Sequence, residues 1–547
     1  MISTFCFKAI AQDLSKLDKT NAFKMNGGVA ASMTGYTVNG IDNRRDPWYW
    51  QINANVNFNI LGVAVPFTAQ FSQQQRSFTQ PFNQYGLSPR YKWLTVHLGY
   101  RSLNYSTYTL SGNTFLGVGV EVAPENSIIK GSVMYGRFAK AIQFGGNDGQ
   151  IAGEPAFERW GYGAKITVGT NKNYVDFIMF RGRDDANSID VSLIDGTDLD
   201  PEENLVFGVY TKQQIAKKVK VDFEYAFSAY TLDTRNSDVI LNNFSYYNNL
   251  GNLYTPNASS QFNRAIKGSV TYTPGKYNLK FAYRRIGPEY RTMGSPFLNN
   301  DLEDFTGSVA FRMFKKKLNI TTTGGLQRNN LDESQVARTT RLIGNATATY
   351  AATPKLNFSA NVANYTTTTR KVQIIEFDSL DYFQVTRNAG LGFNYSTGKE
   401  KIKHNIFSNG NYQVADDELN NSSKMLNVNS GYQAMLPHLG LTGAASLNVN
   451  RAIFVAINST AIGPTLSVTK SLLKKKVKTS ASYSMIYTYS IGELIDRLGS
   501  ARLTAAYTYK QKHTTSFSGV YVNKKSITGT GTSFNEFRGT LQYGYTF

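Results

Sequence analysis

Four histidines, His97, His404, His438 and His513, are the only imidazoles this chain offers for acid–base or nucleophilic chemistry. A hydrolase needs such a ring beside a serine or aspartate, held by a third group. No Ser/His/acid spacing of that kind stands out. His438 and His513 fall in short turns, and His404 starts a segment just after one. The single cysteine, Cys6, leaves no disulfide framework. No phosphate-cradling glycine loop or metal-ligand spacing appears, and the glycines are scattered. One stretch, residues 184–203, holds eight carboxylates. Within it Asp195, Asp198 and Asp200 have the spacing to bind calcium through oxygen, without the full EF-hand pattern. The competing reading is a solvated acidic loop. The sequence therefore predicts no catalytic residue and no enzyme, and calcium as the one candidate cofactor.

The elements that carry these residues show themselves in composition. The 547 residues contain 34 Tyr and 34 Phe but only 14 Pro, a mixture suited to strands and turns. No run approaches the roughly 20 apolar residues of a spanning helix. The net charge of +20 raises nucleic-acid binding, which gathers basic residues on one face. Here the lysines recur in turn-like clusters instead: Lys217 and Lys218, Lys315 to Lys317, Lys399 and Lys401, Lys474 to Lys476, Lys510 and Lys512. That spacing places them on one rim of a barrel, against anionic head groups, and excludes nucleic acid as partner.

Alternation with period two is unusually legible. In residues 48–60, Trp48, Trp50, Ile52, Val56, Phe58 and Ile60 share one face, while Asn53, Asn55, Asn57 and Asn59 share the other. Residues 219–227 repeat the pattern, with Lys220, Asp222 and Glu224 opposite Val221, Phe223 and Tyr225; residues 277–284 set Lys280 and Arg284 opposite Leu279, Phe281 and Tyr283. His97 and Arg101 share the polar face of residues 93–101. These polar residues are the predicted lumen lining, and a plain water-filled lumen would need them too. Strands of 10–14 residues exceed the usual soluble length of roughly 5–6 and fit membrane crossing. Short turns, such as 170–173, 314–317, 472–476 and 510–513, alternate with long loops, such as 184–203 and 233–261. The latter, with Tyr246, Tyr247 and Tyr254, is the predicted inward or ligand-contacting loop.

The last strand alternates to its end through Phe537, Leu541, Tyr543, Tyr545 and Phe547. It resembles the C-terminal strand of Gram-negative outer-membrane proteins. The richness in Asn and Tyr and the lysine-rich turns resemble barrels of the Bacteroidota. The resemblance implies an outer-membrane, multi-pass barrel in contact with the bilayer and lipopolysaccharide. It also implies that Tyr543, Tyr545 and Phe547 form the signal read by the barrel-assembly machinery during biogenesis. Residues 1–11, ending in Ala9-Ile10-Ala11, read as the remnant of a signal peptide, 12–24 as a short periplasmic segment and 25–547 as the barrel. Counting turns gives an all-β, single antiparallel up-and-down barrel of about 26 strands, within a range of about 24–28, with no plug domain. The even count requires a weak strand near residues 77–86 and a turn at 88–90. So wide a barrel needs its lumen filled, by inward loops or, the favoured expectation, by a partner such as a lipoprotein. The expected function is a transport or export channel; the alternative is a structural or assembly subunit that anchors lipoproteins.

Overall fold

A computed structural model describes residues 23–73, 78–145, 154–190, 199–371, 382–419, 421–455, 457–529 and 531–547. It has no α-helix among the described residues. Its 27 strand segments form one sheet, every pairing antiparallel. Two of the segments, Gln84–Leu87 and Arg90–Tyr91, both lie between Val63–Ser72 and Leu94–Arg101 and are halves of one interrupted stave. The barrel therefore has 26 staves. The interruption falls at Ser88-Pro89. Proline has no N–H for the ladder, and the pairing breaks there without a register shift on either side, from Phe67↔Leu87 to Ala64↔Arg90 and from Leu87↔Leu98 to Arg90↔Thr95, with Ser88 N donating to Pro66 O (2.9 Å) and Pro89 O accepting from Val96 N (2.9 Å). The expected strand near 77–86 thus lies later in the chain, and residues 88–90 continue the stave in register rather than turn. The turn follows at Lys92 and Trp93, where Lys92 takes a positive φ of 51°.

The first stave, Phe23–Asn39, pairs with the second, Trp48–Ile60, and also with the last, Phe534–Thr546. That second pairing runs from Gly28↔Thr546 to Asn39↔Asn535 and closes the cylinder. Phe23 is the first described residue and already lies in a stave; the predicted signal remnant and most of the segment 12–24 lie outside the described residues. Both described ends of the chain sit on the same rim as the short turns. In an outer-membrane barrel that rim faces the periplasm and the long connections face outward.

The tight turns at that rim are tightly wound. Phe314, Lys315 and Lys316 have φ of 50°, 54° and 71°, and Leu473, Lys474 and Lys475 repeat this with 48°, 54° and 70°. Left-handed backbone costs a non-glycine residue on the order of 1–2 kcal/mol, so the hairpin geometry overrides local preference at both places. The lysines predicted from spacing to share a rim do so.

Directly paired residues face the same side, so the faces can be followed from stave to stave through the registers. Outward residues include Phe281, Leu391, Leu466, Leu503 and Leu541, all solvent-exposed on the isolated chain. An apolar exposed wall joined by closed hydrogen bonding has one stable environment, the hydrocarbon core. Aromatics flank the wall, with Trp48, Tyr487 and Phe537 toward the outer rim and Tyr350, Phe358, Tyr507 and Tyr543 toward the inner one. The chain is a transmembrane β-barrel of the outer-membrane type.

Neighbours on one stave, Leu466 and Ser467, test this two-sidedness. Leu466 faces lipid near the middle of Asn458–Leu472 and Ser467 faces the lumen. Leu466→Arg is expected to cost about 2–4 kcal/mol, and Ser467→Arg no more than about 0.5 kcal/mol, in urea unfolding from liposomes. Equal costs would contradict the face assignment.

Candidate functional site

The predicted lumen residues do face inward. Asn53, Asn55, Asn57 and Asn59 lie on one inner strip beside Ala30, Gly28 and Asn26 of the first stave. His97 is held between Ser88 Oγ (3.0 Å) and Glu121 Oε2 (3.1 Å), and Arg101 donates to Thr68 Oγ1 (2.7 Å). Both take wall partners, and the Arg101 Nε is left buried without one. Lys220, Asp222 and Glu224 sit on Val219–Thr231 and Lys280 and Arg284 on Tyr277–Ile286, the two staves that flank Ser260–Tyr272, and Arg284 Nε donates to Asp304 Oδ2 (2.7 Å).

What sequence reasoning missed is the pair of connections that fold into the lumen. Residues 102–114 and 287–301 lie against the inner wall and against each other. Tyr290 Oη donates to Tyr108 O (2.7 Å), Thr292 Oγ1 to Thr109 O (2.8 Å), and Ser111 N to Gly294 O (2.9 Å). The wall holds them too. Glu224 Oε1 accepts from Tyr108 N (3.1 Å), Lys267 Nζ reaches Glu224 Oε2 (2.7 Å) and Thr107 Oγ1 (2.8 Å), and Asn204 Oδ1 accepts from Met293 N (3.2 Å). Glu224 is therefore buried as an anchor rather than lining open water.

Apolar packing completes the seat. Leu103, Tyr105, Leu110 and Met293 join Met134, Phe138, Ile178 and Phe180 of the wall in one cluster. Tyr108 and Tyr290 join Val206, Ala226, Ala265 and Ile286 in a second. Tyr290 lies fully enclosed, and burial drives its phenol well above the ordinary value. Inward glycines make the room. A Cβ on Gly163 would meet the Tyr105 ring at 3.0 Å, on Gly182 the Met293 sulfur at 2.8 Å, and on Gly208 the Thr109 methyl at 2.7 Å. Those alternating glycines were the available signal.

Two recesses border the inward loops. The outer one, about 740 Å³, is lined by Phe157, Arg159, Asp184, Glu202, Met293 and Phe297, among others. Arg159 grips the Asp184 carboxylate through two nitrogens (2.7 and 2.8 Å) and Glu202 with its second (2.9 Å), while Tyr230 Oη donates to Glu202 Oε2 (2.7 Å). The other, about 600 Å³, brings Asp222, Glu224 and Asp304 together with Lys267, Lys280 and Arg284.

The opposite inner wall carries amides and hydroxyls. Asn361 Nδ2 donates to Asn388 Oδ1 (3.0 Å) and Asn388 Nδ2 to Asn411 Oδ1 (2.9 Å), and Asn429 bonds Asn448 across the next pair. Thr465, Ser467, Ser482, Ser484 and Ser500 continue it.

The loop predicted to enter the lumen goes the other way. Residues 232–259 fold over the outer wall, where Tyr247 and Tyr254 bury against Leu205, Ala229, Phe227 and Phe262, all outward-facing. Tyr247 stacks on Phe227 with centroids 5.6 Å apart, and burial raises its phenol pKa. Tyr246 stays exposed at 54%. The reason is chemical: the wall beside this loop is aromatic on its outside, so the loop's aromatic rings find partners there. Of the calcium candidates, Asp195 and Asp198 lie outside the described residues, and Asp200 is ion-paired to Arg235. Among the described residues no group of three or more His, Cys, Asp or Glu is placed to hold a metal.

No protein-family model and no curated protein matches the chain. Solved structures overlap it at low similarity. The FrpB iron transporter from Neisseria meningitidis has TM-score 0.38 and 9% identity, over 95% of this chain and 82% of that one. OpdK from Pseudomonas aeruginosa, crystallised with vanillate, has TM-score 0.31 and 9% identity over 64% and 94%. A bacterial polysaccharide outer-membrane secretin has TM-score 0.26 and 9% identity over 52% and 91%. The fold stands on its own closed pairing, not on these overlaps.

Gly182→Leu together with Gly208→Leu should lift the inward loops off the wall while leaving the staves paired. Protease cleavage within 287–301 is expected to quicken at least tenfold in the folded, heat-modifiable barrel. Unchanged protection would show that the loops are not seated on those glycines.

Proposed function

We propose that the protein is an outer-membrane transport channel whose passage runs along the amide- and hydroxyl-lined wall, opposite the two inward loops. The observation that carries this is the asymmetry of the lumen: one half is covered by latched loops and holds most of the inner charge, while the other presents Asn, Ser and Thr to the enclosed space. Such a surface offers donors and acceptors without strong fixed charge, which suits polar, hydroxyl-rich cargo. Selection falls to the narrowed side, where Asp222, Lys280, Arg284 and Asp304 border the loops. The richness in Asn and Tyr and the lysine-rich turns support an origin in the Bacteroidota.

A second reading rests on width. Among the described residues, two loops of 13 and 15 residues occupy one side of a 26-stave cylinder. That supports a resident partner, such as a lipoprotein, against the uncovered wall, and with it the role of an assembly subunit. Purification in mild detergent would then bring down a stoichiometric second protein.

Planar bilayers separate the readings. The isolated barrel is expected to conduct, and deletion of 288–300 to raise unit conductance at least twofold. Silence from both proteins would overturn the channel.

A further inference from the structure

The chain sorts its two basic residue types to opposite rims. The short turns at the inner rim carry lysines, including Lys217, Lys276, Lys316, Lys355, Lys475 and Lys512, and no arginine. The outward face near the other rim carries arginines. Following the registers, eleven arginines of the described strands point away from the lumen, each within five positions of the strand's outer end. Lys424 and Lys525 join them.

Their pairing leaves charge to spare. Glu203 takes Arg181 (2.6 Å) and Arg183 (3.6 Å); Glu303 takes Arg285 (3.4 Å) and Arg328. One carboxylate shared by two guanidiniums fixes both and leaves a net positive charge. Arg264, Arg370, Arg451 and Arg497 show no ion pair among the described residues. Arg497 lies over the Tyr487 ring at 5.9 Å, at the upper aromatic band.

The girdle is continuous with the apolar wall beneath it. A partner that fits both must bring hydrocarbon and a dense anionic head on one molecule. Arginine's planar fork grips phosphate through two hydrogen bonds, whereas lysine acts as a point charge. We infer that this outward arginine girdle binds the phosphate groups of phosphorylated outer-leaflet lipid, seating the barrel by its outer rim. The lysine rim, lacking the fork, makes only diffuse contact with anionic head groups at the other face.

Bisphosphorylated lipid A, added to the detergent-purified barrel and followed by native mass spectrometry, tests this. R370Q/R451Q/R497Q is expected to lower the bound fraction at least tenfold, with folding checked by heat-shifted mobility. R370K/R451K/R497K should recover only part of it, and K474Q/K475Q/K476Q should leave it unchanged. Lipid A stripped of both phosphates should bind the wild type at least tenfold less. Wild-type levels of binding in the arginine variant, as when the girdle serves an acidic protein instead, would overturn the inference, as would equal binding of the phosphate-free lipid. If the triple variant yields no barrels, the wild type decides: raising salt from about 0.1 to about 0.5 M must weaken binding at least tenfold, and salt-insensitive binding overturns it.

Discussion

Backbone polarity governs this molecule. In hydrocarbon an unpaired N–H or C=O costs several kcal/mol, so a sheet that enters lipid must leave no edge. The pairing of Phe23–Asn39 with Phe534–Thr546 meets that demand between segments some 500 residues apart in sequence. Every other feature is arranged on the closed cylinder. Once closure fixes the faces, each stave can present hydrocarbon outside and amide inside with no further instruction. The interrupted stave at Ser88-Pro89 is tolerated because both of its halves keep the same two neighbours.

The inner wall is then free to differ around its circumference. From about Leu94 to Met313 it combines glycine columns with charged side chains, and the two inward connections lie on that part. The glycines lower the wall by a side chain's depth, and Glu224 and Asn204 hold the loop backbones that sit in the hollow while Lys267 holds the Thr107 hydroxyl. Beyond that sector the wall is studded with asparagines that bond each other across staves. Occlusion and openness are thus properties of wall composition.

Much of this was legible in sequence. The strict alternation in residues 48–60 named the inward strip Asn53 to Asn59, and the lysine clusters located the short-turn rim. The even count of 26 followed from turn parity, although the strand it required sits at 84–91 instead of 77–86. Period-two reading failed there because a proline inside a stave looks like a turn. It also failed for the loops. Residues 102–114 carry Tyr105 and Tyr108 but no length or charge that marks them for the lumen, and Gly163, Gly182 and Gly208 reveal their purpose only when neighbouring staves bring them together. The segment 232–259 misled because its aromatic rings were read without the wall they face.

Inner and outer loops obey one rule. An aromatic ring in a connection settles where the adjoining wall offers a matching apolar surface, and the side chosen depends on the parity of that wall. Inside, Tyr105 meets a wall levelled by Gly163 and flanked by Phe180. Outside, Tyr247 and Tyr254 meet Phe227 and Phe262, which the alternation had already turned toward lipid. Loop composition alone therefore cannot say whether a connection constricts the passage or wraps the exterior. The residues one or two pairs below its anchoring strands carry that information, and those residues are fixed by the same alternation that closes the barrel.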